Sequence, residues 1–399
     1  MKKFRYIAIF CVLIIGGLIF FNCHINLVIE RELDKKDLSE IKHEYGNVIR
    51  DRGGAIKNYA CKKGDLLLLG SSELNSPVEQ NPIRMFPSKD SNYDVIALGR
   101  AYTQSLQHSA ILASTKGLKP NTKVAFVLSL PWFMEYQVLG DSDYESNFSP
   151  YQFYKMMSNK KVSDENKRYY AKRTYEMLKN SSNYQEETIY AKYYLKNDII
   201  GKVTFNILKP YYLFKEYILE NKDKIQTYKK IRNLKVKDNN KEVKEINWED
   251  EKVRAQKQGE EKASGNPLLI DNEIYEKSIK GKYDEIKGKY KNVNLLECKE
   301  MYDYKYFLKV CKDLNVKPLI ILMPVHGAAY DHMGVTREKR SAYYDIAEKL
   351  AKDNGFDVLN LKEKEYENYY MIDTIHLGCR GWLDVDKKIV DYYNITNQS

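Results

Sequence analysis

Five short, mostly apolar runs constrain the fold of this chain more than any other feature of its 399 residues. Runs of this length, bounded by polar segments, are typical of strands buried on both faces. Between them, residues 103–115 and 337–354 have apolar positions at helical spacing, and Gly355 suits the end of the second helix. Strands that alternate with helices predict an α/β fold with a mostly parallel sheet covered on both sides. The runs are 66–69, 95–98, 124–130, 319–323 and 358–361.

Two motifs that carry chemistry lie where the carboxyl ends of these strands are expected, the edge at which such sheets bind ligands. Gly70-Ser71-Ser72 directly follows the first run, and Asp373 and His376 lie on a loop after the last. A serine at a strand-to-helix turn, with a histidine and its own carboxylate, predicts acyl transfer. Ser72 fits the nucleophile, His376 the general base and Asp373 the acid that orients it. Ser71 remains an alternative nucleophile, and Gly-Ser-Ser-Glu by itself also suits a helix N-cap.

The oxyanion of such a reaction needs hydrogen-bond donors in the same layer of the fold. The backbone N–H of Ser72 is one candidate because it lies near the start of the expected helix. Gly99 follows the second strand, and Gln104 lies at the start of the next helix. Gly99 and Gln104 are therefore the other candidates, although a structural role is equally compatible with their positions.

The N-terminus predicts a membrane anchor. Lys2, Lys3 and Arg5 precede a stretch without charge from residue 6 to 21 that stays mostly apolar to 29. This pattern predicts a single-pass helix over residues 1–30, with a cytoplasmic N-terminus and an extracellular domain over 31–399. A cleaved signal peptide is the alternative, but the bulky residues at 20–23 do not suit a cleavage site. The charged residues 31–58 predict a helical stalk.

The middle of the chain departs from the alternating pattern. Residues from about 149 to 291 are rich in Tyr and Lys and predict a large helical insertion. Its tyrosines suit helical core packing better than a groove for a long polymer. The polar segment 238–267 predicts an exposed helix or a mobile linker.

Composition limits the partners. The net charge of +10 favours anionic surfaces such as phospholipid or teichoic polyphosphate, but for the charge alone a solvated lysine-rich surface is the preferred explanation. An extracellular location argues against nucleic acid. The six cysteines are scattered and form neither a disulfide framework nor a metal pattern, so we expect neither metal nor cofactor.

Several segments together resemble the family of D-alanyl-lipoteichoic acid biosynthesis proteins DltD. They are Gly70-Ser71-Ser72-Glu73-Leu74, Gly99 with Gln104-Ser105-Leu106, Leu130-Pro131-Trp132-Phe133, Met323-Pro324-Val325-His326-Gly327 and Tyr370-Met371-Ile372-Asp373-Thr374-Ile375-His376-Leu377-Gly378. The resemblance covers nearly the whole chain, and its last segment, which continues to residue 382, is the most specific. The sequence departs from the family pattern at Pro131, where Gln is expected, at His326, where Asn is expected, and at Cys379, where Trp is expected.

This resemblance implies a flavodoxin-like sheet of the SGNH hydrolase type, flanked by helices. It implies that Ser72 is the nucleophile, that Asp373 and His376 are its acid and base, and that Gly99 lies in the oxyanion region. The implied activity is D-alanyl transfer onto teichoic acid at the outer membrane face, through an acyl group on Ser72. The implied partners are the teichoic acid polymer, a membrane-bound acyltransferase of the DltB type and the D-alanyl carrier protein.

Two other functions remain open at this point. The same triad would serve an anchored esterase or thioesterase that removes acyl groups. A scaffold that gathers the D-alanylation machinery without covalent chemistry would need no triad at all.

Overall fold

The computed structural model describes residues 2–134, 139–238, 240 and 242–396, without the side chains of residues 2–5, 7, 8, 11, 14, 15 and 396. Its centre is one parallel sheet of five strands in the order β2-β1-β3-β4-β5. The strands are β1 Leu66–Leu69, β2 Val95–Leu98, β3 Val124–Ser129, β4 Leu319–Met323 and β5 Val358–Asn360. The predicted α/β class and parallel sheet are confirmed. The strand order is that of flavodoxin-like folds, in which the order reverses between β1 and β3.

Helices surround this sheet. Those before β3 are α1 Lys2–Lys35, α2 Ser39–His43, α3 Val48–Arg52, α4 Ala55–Lys63, α5 Pro82–Met85 and α6 Ser105–Ala113. Those between β3 and β4 are α7 Asp141–Asn147, α8 Pro150–Ser158, α9 Asp164–Leu178, α10 Gln185–Leu195, α11 Ile199–Ile231, α12 Trp248–Ala263, α13 Asn272–Ile274 and α14 Lys299–Leu314. The last three are α15 Gly327–His332, α16 Arg337–Asp353 and α17 Cys379–Thr396.

Each face of the sheet packs against its own apolar core, because successive side chains of a strand point to opposite sides. Leu67 and Leu69 of β1 belong to one core, and Leu66 and Leu68 belong to the other, with Trp382. Every residue of β1 to β4 is buried. The prediction of a fully buried last strand is wrong, since β5 is only half-buried. It lies at the edge of the sheet and pairs with β4 alone.

The two helices predicted from periodicity are present as α6 and α16, each shorter than predicted. Gly355 has a φ of +79°, and its N–H donates to the Lys352 carbonyl at 2.9 Å. This left-handed residue ends α16 as predicted, since glycine adopts that conformation without a steric penalty.

The N-terminal region differs from its prediction. Among the residues with described side chains, no helix is long and apolar enough to cross a membrane, so the predicted spanning helix over 1–30 is not confirmed. The predicted stalk over 31–58 is wrong. Helix α1 continues to Lys35, three short helices follow it, and Leu38, Ile41 and Ile56 are buried in the core beside the sheet. Because most residues of this segment are polar or charged, the sequence does not indicate that its few apolar side chains pack inward.

The middle region is helical, as predicted, and its tyrosines do pack in a core. Tyr144, Tyr154, Tyr170, Tyr190 and Tyr212 are all buried. The polar segment forms the exposed helix α12, which packs against α17 through its few small side chains. The boundaries of a separate insertion, about 149–291, stay a prediction.

Candidate active site

The serine motif forms a tight turn at the carboxyl end of β1. The helix predicted there is only one 3₁₀ turn, Ser72–Asn75. The N–H of Gly70 donates to the Leu98 carbonyl of β2 at 3.1 Å, which continues the ladder one residue past the strand. A Cβ at Gly99, which has a φ of +127°, would lie 1.9 Å from the Gly70 carbonyl oxygen. The ends of β1 and β2 therefore approach too closely for any residue other than glycine at this position.

The two serines of the turn point to different partners. The Ser71 hydroxyl donates to the Arg100 carbonyl at 3.1 Å, and the residue is buried. Ser71 also makes no side-chain capping bond to the 3₁₀ turn, so the N-cap interpretation does not describe it. Ser72 is partly exposed, and its Oγ lies 3.0 Å from Nε2 of His376. Of the two hydroxyls, Ser72 is the one that faces a base.

The loop after β5 supplies an acid and a base that are already hydrogen-bonded to each other. Nδ1 of His376 donates to Oδ2 of Asp373 at 2.6 Å. The other carboxylate oxygen, Oδ1, accepts the backbone N–H groups of Ile375 and His376, both at 2.7 Å. Because both carboxylate oxygens are occupied, the ring of His376 is held with Nε2 directed at Ser72. The three predicted side chains thus form one chain of hydrogen bonds.

The electrostatics of this pair favour its charged form. Burial opposes the charge on His376, but the Asp373 carboxylate and its hydrogen bond raise the pKa of the imidazole above its usual value. Burial likewise opposes the charge on Asp373, yet the His376 charge and the hydrogen bonds it accepts lower the pKa of this carboxyl. Asp373 therefore stays ionised and stabilises the imidazolium that forms when His376 takes a proton.

The loop is held by hydrogen bonds between its own backbone groups. The N–H of Ile372 donates to the His376 carbonyl at 2.9 Å, and that of Gly378 donates to the Tyr370 carbonyl at 2.8 Å. A Cβ at Gly381 would lie 2.7 Å from the Tyr370 carbonyl oxygen. Residues 378–382 form a tight, packed turn, and Trp382 is fully buried beneath it.

Sequence reasoning missed the role of Glu73, which it regarded only as a favourable first-turn residue. The side chain is buried, and its Oε2 accepts the Ser71 N–H at 2.7 Å. Burial raises the pKa of this carboxyl, while the nearby His376 charge, backbone N–H groups and the Ser129 hydroxyl oppose the increase. Glu73 in turn contributes to the raised pKa of His376. The available signal was an acid next to the serines, but only the tertiary structure shows that it points inward.

The oxyanion candidates occupy well-defined structural positions. Gly99 permits the close approach described above, and its N–H helps to lower the pKa of the buried Asp51, which burial raises overall. The backbone N–H of Gln104 donates to Oε1 of Gln107 at 3.0 Å at the start of α6. Both residues thus have structural roles, and their part in binding an oxyanion stays a prediction.

His326 lies near the site but is not its base. Its Nε2 donates to the Leu268 carbonyl at 2.7 Å, and its Nδ1 accepts the Ala329 N–H at 3.3 Å. Both ring nitrogens are therefore occupied, and burial lowers the pKa of the ring. Its backbone N–H donates to the Thr374 carbonyl at 3.0 Å, which ties the β4 loop to the loop of the acid and base.

Comparisons with known proteins place the chain in a family. A family model described as DltD protein matches residues 47–394, which include the serine turn and the Asp373 loop. Protein DltD of Bacillus subtilis (strain 168) is 30% identical over 330 residues, covering 82% of this chain and 82% of that protein. Protein DltD of Staphylococcus aureus (strain NCTC 8325 / PS 47) is 27% identical over 332 residues, covering 82% and 80%. Protein DltD of Lacticaseibacillus rhamnosus is 23% identical over 352 residues, covering 86% and 81%. The chain belongs to the DltD family.

Proposed function

We propose that this chain transfers D-alanyl groups onto teichoic acid through an acyl group on Ser72. Membership of the DltD family supports a role in the D-alanylation of teichoic acid. The observation that carries the chemical step is the continuous hydrogen-bond chain of Ser72, His376 and Asp373, with distances of 3.0 and 2.6 Å. A hydroxyl, a base and an orienting acid in this geometry suit nucleophilic acyl transfer.

In the first half-reaction, Oγ of Ser72 attacks the carbonyl carbon of a D-alanyl ester or thioester. Nε2 of His376 accepts the hydroxyl proton, and Asp373 stabilises the imidazolium. The bond to the donor's oxygen or sulfur then breaks, and His376 returns the proton to that leaving group. The donor leaves, and Ser72 carries the D-alanyl ester.

The second half-reaction runs the same steps with the polymer. His376 accepts the proton of a glycerol or ribitol hydroxyl, whose oxygen attacks the acyl carbon. The bond to Ser72 breaks, and the proton passes to its Oγ. The N–H of Ser72 supplies one candidate donor for the oxyanion, and Gly99 and Gln104 are the others that we propose. The outer membrane face, the acyltransferase of the DltB type and the D-alanyl carrier protein remain parts of this proposal that rest on the family.

A comparison of Ser72→Ala with Ser71→Ala tests the mechanism. We expect Ser72→Ala to abolish labelling of the protein by an acyl donor and to lower cell-wall D-alanine to background. Ser71→Ala should retain labelling, because the Ser71 hydroxyl faces a carbonyl and not a base. Normal D-alanylation in a Ser72→Ala strain with a normal protein level would favour a scaffold. Rapid net release of D-alanine from D-alanylated polymer, without transfer, would favour an esterase.

A further inference from the structure

Two arginines meet beside the serine turn. Arg100 directly follows Gly99 at the end of β2, and its carbonyl accepts the Ser71 hydroxyl at 3.1 Å. Arg52 is the last residue of α3. The guanidinium groups of Arg52 and Arg100 both donate to one backbone carbonyl, that of Ser146 in α7. Two cations from distant parts of the chain therefore share one neutral acceptor at the catalytic edge of the sheet.

Asp51 attracts Arg52 electrostatically, but it forms no direct ion pair with either arginine. Within the part of the chain that the structure describes, no carboxylate forms an ion pair with Arg52 or Arg100. The nearby carboxylate of Asp51 is already paired with Arg50 at 2.8 Å. Nε of Arg52 is buried without a hydrogen-bond partner among the described residues. A buried donor without a partner is costly unless a ligand satisfies it, and a phosphate oxygen suits a guanidinium well.

A groove continues from these arginines along α11. A cavity of about 570 Å³ is lined by Arg52 and by three lysines of that helix, Lys222, Lys229 and Lys230. A smaller cavity that also borders Arg52 reaches Arg100. The acid in the large cavity, Asp223, accepts the backbone N–H groups of residues 54 and 55 at 2.9 and 3.0 Å, so it is already engaged. Lys230 is paired with Glu40 at 3.1 Å, whereas Lys222 and Lys229 form no ion pair within the described part of the chain. The groove therefore carries an excess of cations that begins beside the serine turn.

We propose that this groove binds the polyphosphate backbone of the acceptor. Arg52 and Arg100 hold the phosphate next to the accepting hydroxyl, and the three lysines contact phosphates further along the polymer. A regular polyphosphate matches a line of cations better than any single anion does. This inference rests on the proposed function, since it names the acceptor-binding residues of the same site.

The test separates acceptor binding from the chemistry of the triad. Poly(glycerol phosphate) serves as the acceptor, and hydrolysis of p-nitrophenyl acetate, a small neutral ester, reports on Ser72. We expect Arg52→Gln with Arg100→Gln to raise the KM for the polymer by about tenfold or more, the effect of losing charge-assisted phosphate contacts. Hydrolysis of the neutral ester should fall by much less than transfer to the polymer, so the ratio of the two rates reports on acceptor binding. Arg337→Gln, an exposed arginine on α16, is the matched control and should change neither.

A direct measurement of polymer binding tests this inference even if the variant with both arginines replaced folds poorly. Lys222→Gln with Lys229→Gln alters only exposed side chains and should weaken binding of poly(glycerol phosphate) with a shallower dependence on salt. The Ser72→Ala protein should bind the polymer like the wild type, so a failure of the acyl mechanism would leave this result intact. Unchanged polymer binding in both the arginine and the lysine variants would overturn the assignment.

A second surface is supported by a separate observation, the apolar outer face of α11. Between residues 199 and 218 it exposes apolar side chains at intervals of three, four or seven residues, the spacing of one helical face. Their exposed fractions are 75% for Ile200, 52% for Val203, 72% for Ile207, 54% for Phe214 and 47% for Ile218. The opposite face packs inward, with Tyr212 only 5% exposed. A helix that is apolar on both faces needs an apolar environment on its outer side.

The charged side chains on the exposed face of α11, and the helix beside it, indicate which apolar environment this face contacts. From Ile199 to residue 214 the only charged side chains are Lys202 and Lys209, both exposed. The helix runs beside α1, since the Tyr217 hydroxyl donates to the Leu18 carbonyl at 3.1 Å. The described side chains of α1 also include many exposed apolar groups. Asp198 caps the start of the helix through the Gly201 N–H, and Glu186 accepts the Tyr211 hydroxyl, so both nearby acids are engaged. Apolar side chains interspersed with lysines match the boundary of an anionic bilayer.

We infer that this face of α11 lies in the surface of a membrane that contains anionic lipid. Ile207→Trp and Val253→Trp form a matched pair, because these residues are 72% and 71% exposed and lie on α11 and α12. Each variant is mixed as the full chain with vesicles of brominated phosphatidylglycerol, which quench tryptophan in contact with lipid. We expect Ile207→Trp to lose at least about half of the added fluorescence and Val253→Trp to lose little.

Two results would overturn this inference. The first is equal quenching of both variants, which would show that α11 does not contact lipid. The second is a blue shift of Ile207→Trp that depends on protein concentration without vesicles, which would identify a second copy of the chain as the partner. Replacing Lys202 and Lys209 by Gln should weaken the quenching by phosphatidylglycerol but leave any quenching by phosphatidylcholine unchanged.

Discussion

At the scale of single residues, the site depends on which groups are charged. His376 accepts the serine proton only when it is neutral, and the Asp373 carboxylate raises the pKa of its imidazole. Glu73, when ionised, adds a second negative charge beside His376 and raises the pKa of the imidazole further. The pH dependence of the reaction should therefore report on both carboxylates.

The first prediction concerns Asp373. We expect kcat/KM for ester hydrolysis to rise with pH through a pKa above 6.5, the ordinary value for histidine. In Asp373→Asn the rise should move to lower pH, because the charge that raises the pKa is gone. The rate should fall by about 10⁴, since the ring loses its orientation and the imidazolium its counter-charge. Asp353→Asn, an exposed acid on α16, should leave the profile unchanged.

The second prediction concerns Glu73. Glu73→Gln keeps an oxygen that accepts the Ser71 N–H but removes the charge. We expect the rise of kcat/KM to move to lower pH, with a smaller loss of rate than in Asp373→Asn. The free energy of unfolding should also depend on Glu73. Burial raises the pKa of this carboxyl above 4.5, its ordinary value, so the unfolded chain releases the proton first and the wild type loses stability as the pH rises above 4.5. Urea unfolding should show a smaller loss in the variant than in the wild type, because Asp386 contributes to the loss in both proteins. A profile identical to that of the wild type would contradict a charged Glu73.

At the scale of elements, the site depends on how closely the ends of β1 and β2 approach. The missing Cβ of Gly99 would lie 1.9 Å from the Gly70 carbonyl oxygen, and Gly70 precedes the two serines. The same strand ends carry Arg100, whose carbonyl holds the Ser71 hydroxyl. Any separation of these ends would change the direction of both serine side chains.

The third prediction uses Gly99→Ala, which keeps the backbone N–H but adds the Cβ. We expect a loss of stability of about 1–3 kcal/mol from the positive φ and the contact with Gly70, and a loss of ester hydrolysis. Gly281→Ala, where no atom lies within 4 Å of the added Cβ, should leave both quantities unchanged. Full activity of Gly99→Ala would show that the strand ends tolerate separation.

At the scale of the whole molecule, two cores cover the sheet, and α17 closes the second one. This helix carries Trp382, which supports the loop of the acid and base, and it also carries Asp386. Asp386 is fully buried, and neither of its carboxylate oxygens has a hydrogen-bond partner among the described residues. Burial raises the pKa of Asp386 well above its ordinary value, so ionisation of this group opposes folding.

The fourth prediction is that Asp386→Asn stabilises the protein at neutral pH. In the unfolded chain Asp386 releases its proton near pH 3.8, the ordinary pKa of the carboxyl, whereas in the folded protein it keeps the proton to higher pH. The wild type therefore loses stability as the pH rises above 3.8. The amide removes that loss, so the variant should be more stable by about 1 kcal/mol or more at pH 7 and by less near pH 4. Urea unfolding at the two pH values measures the difference. Asp353→Asn serves as the exposed control, and a variant less stable than the wild type at pH 7 would contradict the prediction.

The sequence alone determined the strands, their alternation with helices and the edge at which the serines and the acid–base loop lie. These features follow from local patterns, because burial on both faces produces continuous apolar runs and strand ends carry the chemistry. The motif of residues 373–376 could also be recognised from the sequence, since its acid and base are close in the chain. The charged segment 31–58 misled sequence reasoning, because a few inward-facing residues do not produce a clear period.

Only the tertiary structure decided which side chains face each other across long stretches of chain. Ser72 and His376 are 304 residues apart, and the choice between Ser72 and Ser71 depends on which hydroxyl reaches that ring. The burial of Glu73 and the meeting of Arg52 with Arg100 depend in the same way on the packing of separate elements. Local patterns report which face of an element is buried, whereas hydrogen bonds and charge pairs depend on distances that are fixed only when the elements pack.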